Sequence, residues 1–183
     1  MKHWLQDSLI LNEEECYSFA KILNSINGEL LYRATRDGFT ASAFHSKCDN
    51  KSNTLTIIKN NLNYVFGGYT SSKWSSYEIE THDKDAFIFS LRRNGVSKTE
   101  KFMVRIQEDA IQNVSNSGPV FGSGDIHICD QSNIKTGSCT NFGITYHLPD
   151  GYTFASDSTD NYLAGSLKNW LTTEIEVYKI NPN

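Results

Sequence analysis

Apolar side chains near the start of the chain recur every three or four residues, which is the spacing of one face of an α-helix. This face consists of Cys16, Phe19, Ala20, Leu23 and Ile26. Asn12 and Glu15 have the spacing of a capping box, and Gly28 is a suitable stop. The pattern predicts a helix within residues 1–28. Because its apolar face would be costly to leave in water, we expect this helix to pack on a domain of residues 29–183.

After a short strand at 30–34 and an amphipathic helical segment at 40–48, the period of the pattern changes to two. The runs with this period, each typical of a strand, are 54–59, 64–70, 86–91, 101–106, 125–130, 141–147 and 175–180. Phe87, Phe89 and Leu91 share one face of such a run. Asparagine and glycine, as at Asn94–Gly95, separate neighbouring runs, as in antiparallel hairpins. The alternation therefore favours a mostly β (α+β) sandwich over a parallel sheet.

Composition and charge narrow the function classes. Hydrophobic residues make up 38% of the 183 residues, which is enough for one core. The net charge is −4, and no basic cluster exceeds Arg92–Arg93, so we expect no nucleic-acid partner. The apolar runs are too short for membrane insertion, and residues 1–6 are too polar for a signal peptide. We therefore expect a cytoplasmic, monomeric protein, with association to an organelle membrane complex or a cytoskeletal assembly left open.

The four cysteines, Cys16, Cys48, Cys129 and Cys139, form no CxxC pair and are too sparse for a secreted disulfide scaffold. Reduced thiols are the default prediction. Cys16 lies on the apolar face of the predicted helix, which is typical of a small buried hydrophobic residue rather than of a redox centre.

Two groups of residues invite catalytic or metal chemistry. His127 and Cys129 alternate along a predicted strand beside Asp125, which is a spacing that can hold a metal. His45 and Cys48 lie three apart on a possible helix, as a nucleophile pair would. No third ligand or orienting residue accompanies either pair, so a polar strand face and a structural histidine explain them better. The sequence predicts no metal and no cofactor.

Several glycines are predicted to be structural. The segment 118–125 is glycine-rich but precedes a strand and lacks the lysine of a phosphate-binding loop, so we interpret it as tight backbone packing. The predicted structural glycines are Gly38, Gly67, Gly68, Gly118, Gly122 and Gly124.

Glu174 and Glu176 alternate with Ile175 and Val177 at the last strand, so the two carboxylates are expected on one face. Paired carboxylates suggest acid–base chemistry, but an exposed strand face that blunts a sheet edge is the simpler interpretation. The polar loops 71–84 and 152–162 are further candidate contact surfaces, because function concentrates on loops.

Segments spread over residues 29–181 resemble the TLDc domain in their order and spacing. They are 30–33 (LLYR), 37–39 (DGF), 44–48 (FHxKC), 54–58 (TLTII), 64–69 (YVFGGY), Trp74, 86–91 (AFIFSL), 118–124 (GPVFGSG) and 174–178 (EIEVY). One departure concerns Gly124, which is followed directly by Asp125 where family members often carry a histidine. Any role of that histidine does not transfer to this chain.

The resemblance implies a two-sheet antiparallel β-sandwich flanked by a few short helices. It also implies a non-catalytic module that binds the peripheral sector of the vacuolar proton-pumping ATPase, contributes to oxidative-stress protection, or both. In that case Glu174, Glu176 and Tyr178 are the leading partner-binding residues, and Glu176→Lys is expected to weaken binding without affecting the fold. Two alternatives stay open: a structural component of a filament or scaffold, and an enzyme that uses a thiol or the paired carboxylates.

Overall fold

The computed structural model describes residues 4–23 and 28–181. Its helices are α1 (Glu13–Leu23), α2 (Ala34–Asp37), α3 (Ala41–Cys48) and α4 (Asp157–Asp160), with short 3-10 turns at Trp4–Asp7 and Gln107–Asp109. Helix α1 begins with the predicted capping box: Glu15 N donates to Asn12 Oδ1 at 2.8 Å, and Asn12 N donates to Glu15 Oε2 at 3.0 Å. Ile26, which was predicted to extend the apolar face of this helix, lies outside the described residues.

In the described residues, ten strands form two antiparallel sheets. They are β1 (Gly28–Arg33), β2 (Thr54–Asn60), β3 (Val65–Thr70), β4 (Ile79–Thr81), β5 (Phe87–Arg93), β6 (Val96–Met103), β7 (Ile111–Asn113), β8 (Ser117–Phe121), β9 (Ile126–Cys129) and β10 (Thr172–Ile180). One sheet has the order β1-β10-β2-β3-β5-β6, and the other has the order β4-β7-β8-β9. The predicted antiparallel sandwich with a few short helices is confirmed.

The two sheets face each other across the main core. Ile58, Phe66 and Ile88 of the six-stranded sheet join Phe121 and Ile128 of the four-stranded sheet in one cluster of buried side chains. Phe121 also contacts Trp74 edge to face, with ring centroids 5.5 Å apart. These aromatic side chains fill the space between the layers.

The opposite face of the six-stranded sheet is also buried. Leu5, Ile10, Cys16 and Phe19 of the N-terminal segment cover it. The predicted face of Phe87, Phe89 and Leu91 lies here, together with Leu55, Ile57, Val65, Tyr178 and Ile180. The central strands of this sheet therefore have no solvent-exposed face, although they are antiparallel.

Part of the strand prediction was wrong. Residues 141–147 form no strand, because Gly143, Thr145 and Tyr146 direct their backbone amides to the buried carboxylate of Asp125. These amides are satisfied by a side chain instead of by a neighbouring strand.

Three strands were not predicted. Strands β4 and β7 have three residues each, which is too short to show a period of two. Strand β8 occupies the glycine-rich segment and is buried along its whole length, so its sequence does not alternate.

In the described part of the chain, no helix has the length and apolar character needed to span a membrane.

Candidate contact surface

Glu176 was predicted to be exposed, and this prediction was wrong. Its side chain is fully buried and accepts hydrogen bonds from Ser8 Oγ at 2.6 Å, Leu9 N at 2.9 Å and Tyr178 Oη at 3.0 Å. Arg33 completes the site with an ion pair at 2.8 Å. The physical reason is that the N-terminal segment covers the face of the sheet to which Glu176 belongs. The carboxylate therefore joins this segment to the sheet.

Glu174 and Tyr178 are also buried. The carboxylate of Glu174 accepts hydrogen bonds from the backbone and the hydroxyl of Thr35 in α2. Tyr178 packs in the cluster beneath the N-terminal segment, and burial raises the pKa of its phenol. The partner-binding role of these three residues stays a prediction, but their side chains are directed inward and satisfied within the domain.

Gly67 and Gly68 lie where strand β3 approaches its neighbours closely. A Cβ atom at Gly67 would collide with the carbonyl oxygen of Thr56 on the adjacent strand. A Cβ atom at Gly68 would lie 2.5 Å from the ring of Phe121 in the facing sheet. Both glycines thus allow close packing, one within its sheet and the other between the sheets.

The glycine-rich segment forms the turn that holds Asp125. Gly122 and Gly124 have φ values of +65° and +99°, which favour glycine, and a Cβ atom at Gly122 would collide with the Asp125 carboxylate. Gly38 ends α2 with a φ of +106°, whereas Gly118 packs against Ile128. These glycines therefore allow either a backbone conformation or a close approach that a larger residue would disturb.

His45 and Cys48 do not form a nucleophile pair. His45 Nδ1 lies 2.7 Å from Asp49, and its Nε2 lies 3.0 Å from the carbonyl oxygen of Val114 and 3.1 Å from that of Ser117. Cys48 is fully buried, and burial raises the pKa of its thiol well above the usual range. A thiol with a raised pKa is a poor nucleophile at neutral pH.

The candidate metal ligands also have internal partners. Both carboxylate oxygens of Asp125 accept backbone N–H groups, and His127 Nε2 contacts Ser117 Oγ at 3.0 Å. Among residues 4–23 and 28–181, no group of three or more histidine, cysteine or acidic side chains is arranged to hold a metal.

The edge of the four-stranded sheet presents a different kind of surface. Strand β4 lies at one end of this sheet and, among the described strands, pairs only with β7. All five residues from Ser76 to Glu80 are exposed, including 80% of Tyr77 and 51% of Ile79. We call residues 76–81 the acidic edge. It lies within loop 71–84, one of the two loops that the sequence indicated as contact surfaces.

Polar side chains at both ends of the acidic edge are hydrogen-bonded to neighbouring elements, although most of its residues are exposed. Ser76 Oγ donates to Asp49 at 2.6 Å, and Ser115 donates to Glu78 through its backbone amide at 2.7 Å. At the far end, Asn113 Nδ2 donates to Thr81 Oγ1 at 2.8 Å. These bonds attach the acidic edge to the residue that follows α3, to β7 and to the turn after β7.

Asp83 anchors the segment that follows the acidic edge. Its buried carboxylate accepts hydrogen bonds from Thr70 Oγ1 at 2.7 Å and from Ser71 N and Oγ at 2.6 and 2.8 Å. Burial raises the pKa of Asp83, but these hydrogen bonds outweigh burial and lower it below its usual value. The anchor is therefore ionised at neutral pH.

Charge is distributed unevenly around the acidic edge. The segments 74–83 and 107–116, which contain β4 and β7, hold five acidic residues and no lysine or arginine. The whole chain has a net charge of only −4, so this sector is markedly more acidic than the rest of the protein. Glu78, Glu80 and Glu108 are the exposed acidic residues. Counting charge along pairs of segments could have shown this sector, but only if the pairing of β4 with β7 had been known.

The family model of the TLDc domain matches residues 4–181. The match begins before the predicted domain start at residue 29, and the division at that residue stays a prediction. No curated protein matches the chain.

Proposed function

Because the chain belongs to the TLDc domain family, we propose that it is a non-catalytic module that docks on a larger protein assembly. The observation that carries this proposal is the acidic edge, a segment that is hydrogen-bonded to neighbouring elements at both ends yet exposed at every residue from Ser76 to Glu80. Binding residues are concentrated on exposed segments that a rigid scaffold holds in position. The first candidate partner is the peripheral sector of the vacuolar ATPase, which comes from the family resemblance alone.

The state of the candidate catalytic groups supports a non-catalytic role. Cys48 is buried with a raised pKa, and burial likewise raises the pKa of Cys16 and of Cys139. The carboxylates of Glu174 and Glu176 accept hydrogen bonds from donors within the domain. A contribution to oxidative-stress protection, which the resemblance also implies, would then come from docking rather than from thiol chemistry.

An affinity pull-down of the tagged chain from its native lysate, followed by mass spectrometry, tests the proposal. We expect recovery of the peripheral-sector subunits of the vacuolar ATPase. Recovery of filament or scaffold proteins without these subunits would instead support the structural-component alternative and would overturn the proposed partner.

The thiol-enzyme alternative makes a separate prediction about cysteine reactivity. We expect Cys16 and Cys48 to resist iodoacetamide at neutral pH in the folded chain and to react after unfolding in urea, because both are buried. Mass spectrometry of alkylated peptides gives the rates. Alkylation of folded Cys48 faster than that of a free cysteine peptide would favour the enzyme and count against docking as the sole function.

A further inference from the structure

We propose that the acidic edge binds its partner by strand addition, and that the incoming segment is extended and carries lysine or arginine alternating with apolar residues. The inference rests on the proposed docking function and deepens it, because it names both the surface and the chemistry of the partner segment. In this mode, main-chain hydrogen bonds supply affinity and alternate side chains supply specificity.

The topology leaves β4 available for pairing. In the four-stranded sheet, β4 has β7 on one side, and no other described strand lies on its outer side. The opposite edge of this sheet differs, because His127 of β9 exchanges backbone hydrogen bonds with Cys139 at 2.9 and 3.0 Å. Edge β9 is therefore covered by the chain itself, whereas no described strand pairs with the outer edge of β4.

The frame of β4 is preorganised. The hydrogen bonds from Ser76, Ser115 and Asn113 hold the strand and its entry turn before any partner arrives. A segment that is already ordered loses less conformational entropy on binding, so more of the contact energy appears as affinity.

The side chains of the acidic edge determine which partner segment can pair with β4. Ile79 pairs with the buried Asn113, so it faces the inner side of the sheet, yet half of its side chain is uncovered. Glu80 pairs with Gln112 on the outer side. A cavity lined by residues 78–80 and 112–114 lies along this register. An added strand would cover Ile79 with an apolar residue and place a cation beside Glu80.

Charge favours a basic partner over a second copy of the chain. Pairing two copies of β4 would bring Glu78 and Glu80 of one copy close to the same residues of the other, and like charges across adjacent strands are destabilising. The surrounding segments 74–83 and 107–116 offer no lysine or arginine to offset this repulsion. A lysine- or arginine-containing strand would instead meet the exposed carboxylates of Glu78 and Glu80.

Amide NMR with a defined probe tests the inference directly. A short acetylated and amidated peptide of alternating lysine and valine is titrated into the isotope-labelled chain. We expect saturable shifts confined to residues 77–81 and 111–113, and no shifts with a glutamate–valine peptide or with the lysine–valine peptide carrying a central proline. Shifts elsewhere, no shifts, or equal shifts with the proline peptide would overturn strand addition at β4.

A matched pair of charge variants tests whether peptide binding depends on the charge of the acidic edge. Glu80→Lys should weaken peptide binding roughly fivefold, which corresponds to a surface ion pair near the upper end of its usual range. Glu29→Lys makes the same change at an exposed residue on β1, the edge strand of the other sheet, and should leave binding unchanged. Equal binding by wild type and Glu80→Lys, or a concentration-dependent dimer that Glu80→Lys abolishes, would contradict a basic partner strand.

The same variants in the lysate pull-down separate the inference from the proposed function. If the wild-type chain recovers the peripheral sector and Glu80→Lys does not, both stand. If both chains recover it equally, strand addition at β4 fails while docking stands. If the wild-type chain recovers no ATPase subunit, the proposed partner fails, and the peptide titration alone decides the inference.

Discussion

Gly68 shows how one missing side chain sets the distance between the two sheets. The ring of Phe121 occupies the space that a Cβ atom would need, 2.5 Å from its ideal position. We predict that Gly68→Ala destabilises the fold by about 1–3 kcal/mol, the usual cost of overpacking a core. Urea unfolding measures this loss. Phe121→Leu combined with Gly68→Ala should cost less than the two single changes added together, whereas simple additivity would show that the ring is not the obstacle.

Glu176 is the residue for which sequence and structure differ most. Because it is fully buried beside Arg33, we predict that Glu176→Lys costs about 3–5 kcal/mol or more, since it places two cations together without water. Glu176→Gln should cost less, because it keeps the shape and one acceptor. The midpoint of urea unfolding should fall in that order.

Glu29→Lys serves as the exposed control for the same charge change. A Glu176→Lys chain as stable as this control would restore the original expectation of an exposed contact residue.

The alternation of Glu174 with Ile175 correctly predicted that the two types of side chain face opposite sides of β10. Alternation does not reveal which faces are covered. Exposure was inferred from polarity, but the N-terminal segment covers the polar side with Leu5 and Phe19 and supplies donors such as Leu9 N. Long-range contacts of this kind leave no local signal in a sequence.

Helix α1 is held to the six-stranded sheet by charge as well as by its apolar face. Arg92 Nε donates to Glu15 at 2.9 Å, and Ser97 Oγ donates to it at 2.7 Å. Burial raises the pKa of the Glu15 carboxyl, but the hydrogen bonds from Arg92, Asn12 and Ser97 outweigh burial and lower it below the usual value of 4.5. The carboxylate therefore stabilises the fold above the unfolded-state pKa, and this contribution is lost as the pH falls through the lower folded-state pKa.

We predict that Glu15→Gln destabilises the chain by about 1–3 kcal/mol at neutral pH, because Arg92 and Ser97 lose a charged acceptor. The variant should also lose less stability than the wild type between neutral pH and pH values below 4.5. Unfolding in urea across this range checks both points, with Glu29→Gln as an exposed control. An unchanged acid dependence would show that Glu15 is not part of the acid-sensitive attachment of α1.

At the scale of elements, strong local signals predicted the structure well. The capping box of α1, the shared face of Phe87, Phe89 and Leu91, and the hairpin at Asn94–Gly95 all appear as expected. The failures have physical causes. Strands β4 and β7 are too short to show a period, and residues 141–147 alternate in sequence but wrap around Asp125.

For the whole molecule, the six-stranded sheet is buried on both faces, between the four-stranded sheet on one side and the N-terminal segment on the other. The polar residues that resembled catalytic groups hold these layers together. The surface that we propose for a partner is the edge of the smaller sheet, where the acidic edge exposes Tyr77 and Ile79 next to Glu78 and Glu80. The sequence indicated loop 71–84 as a candidate surface, but the pairing that makes it an edge became visible only in three dimensions.

Hydrogen exchange of the chain, alone and mixed with the purified peripheral sector of the vacuolar ATPase, tests docking through this surface most directly. The account predicts slower exchange in residues 77–81 on mixing, with little change in β1 or α1, because only the acidic edge gains new backbone hydrogen bonds. Unchanged exchange throughout the chain, or protection confined to β1 and the N-terminal segment, would contradict it.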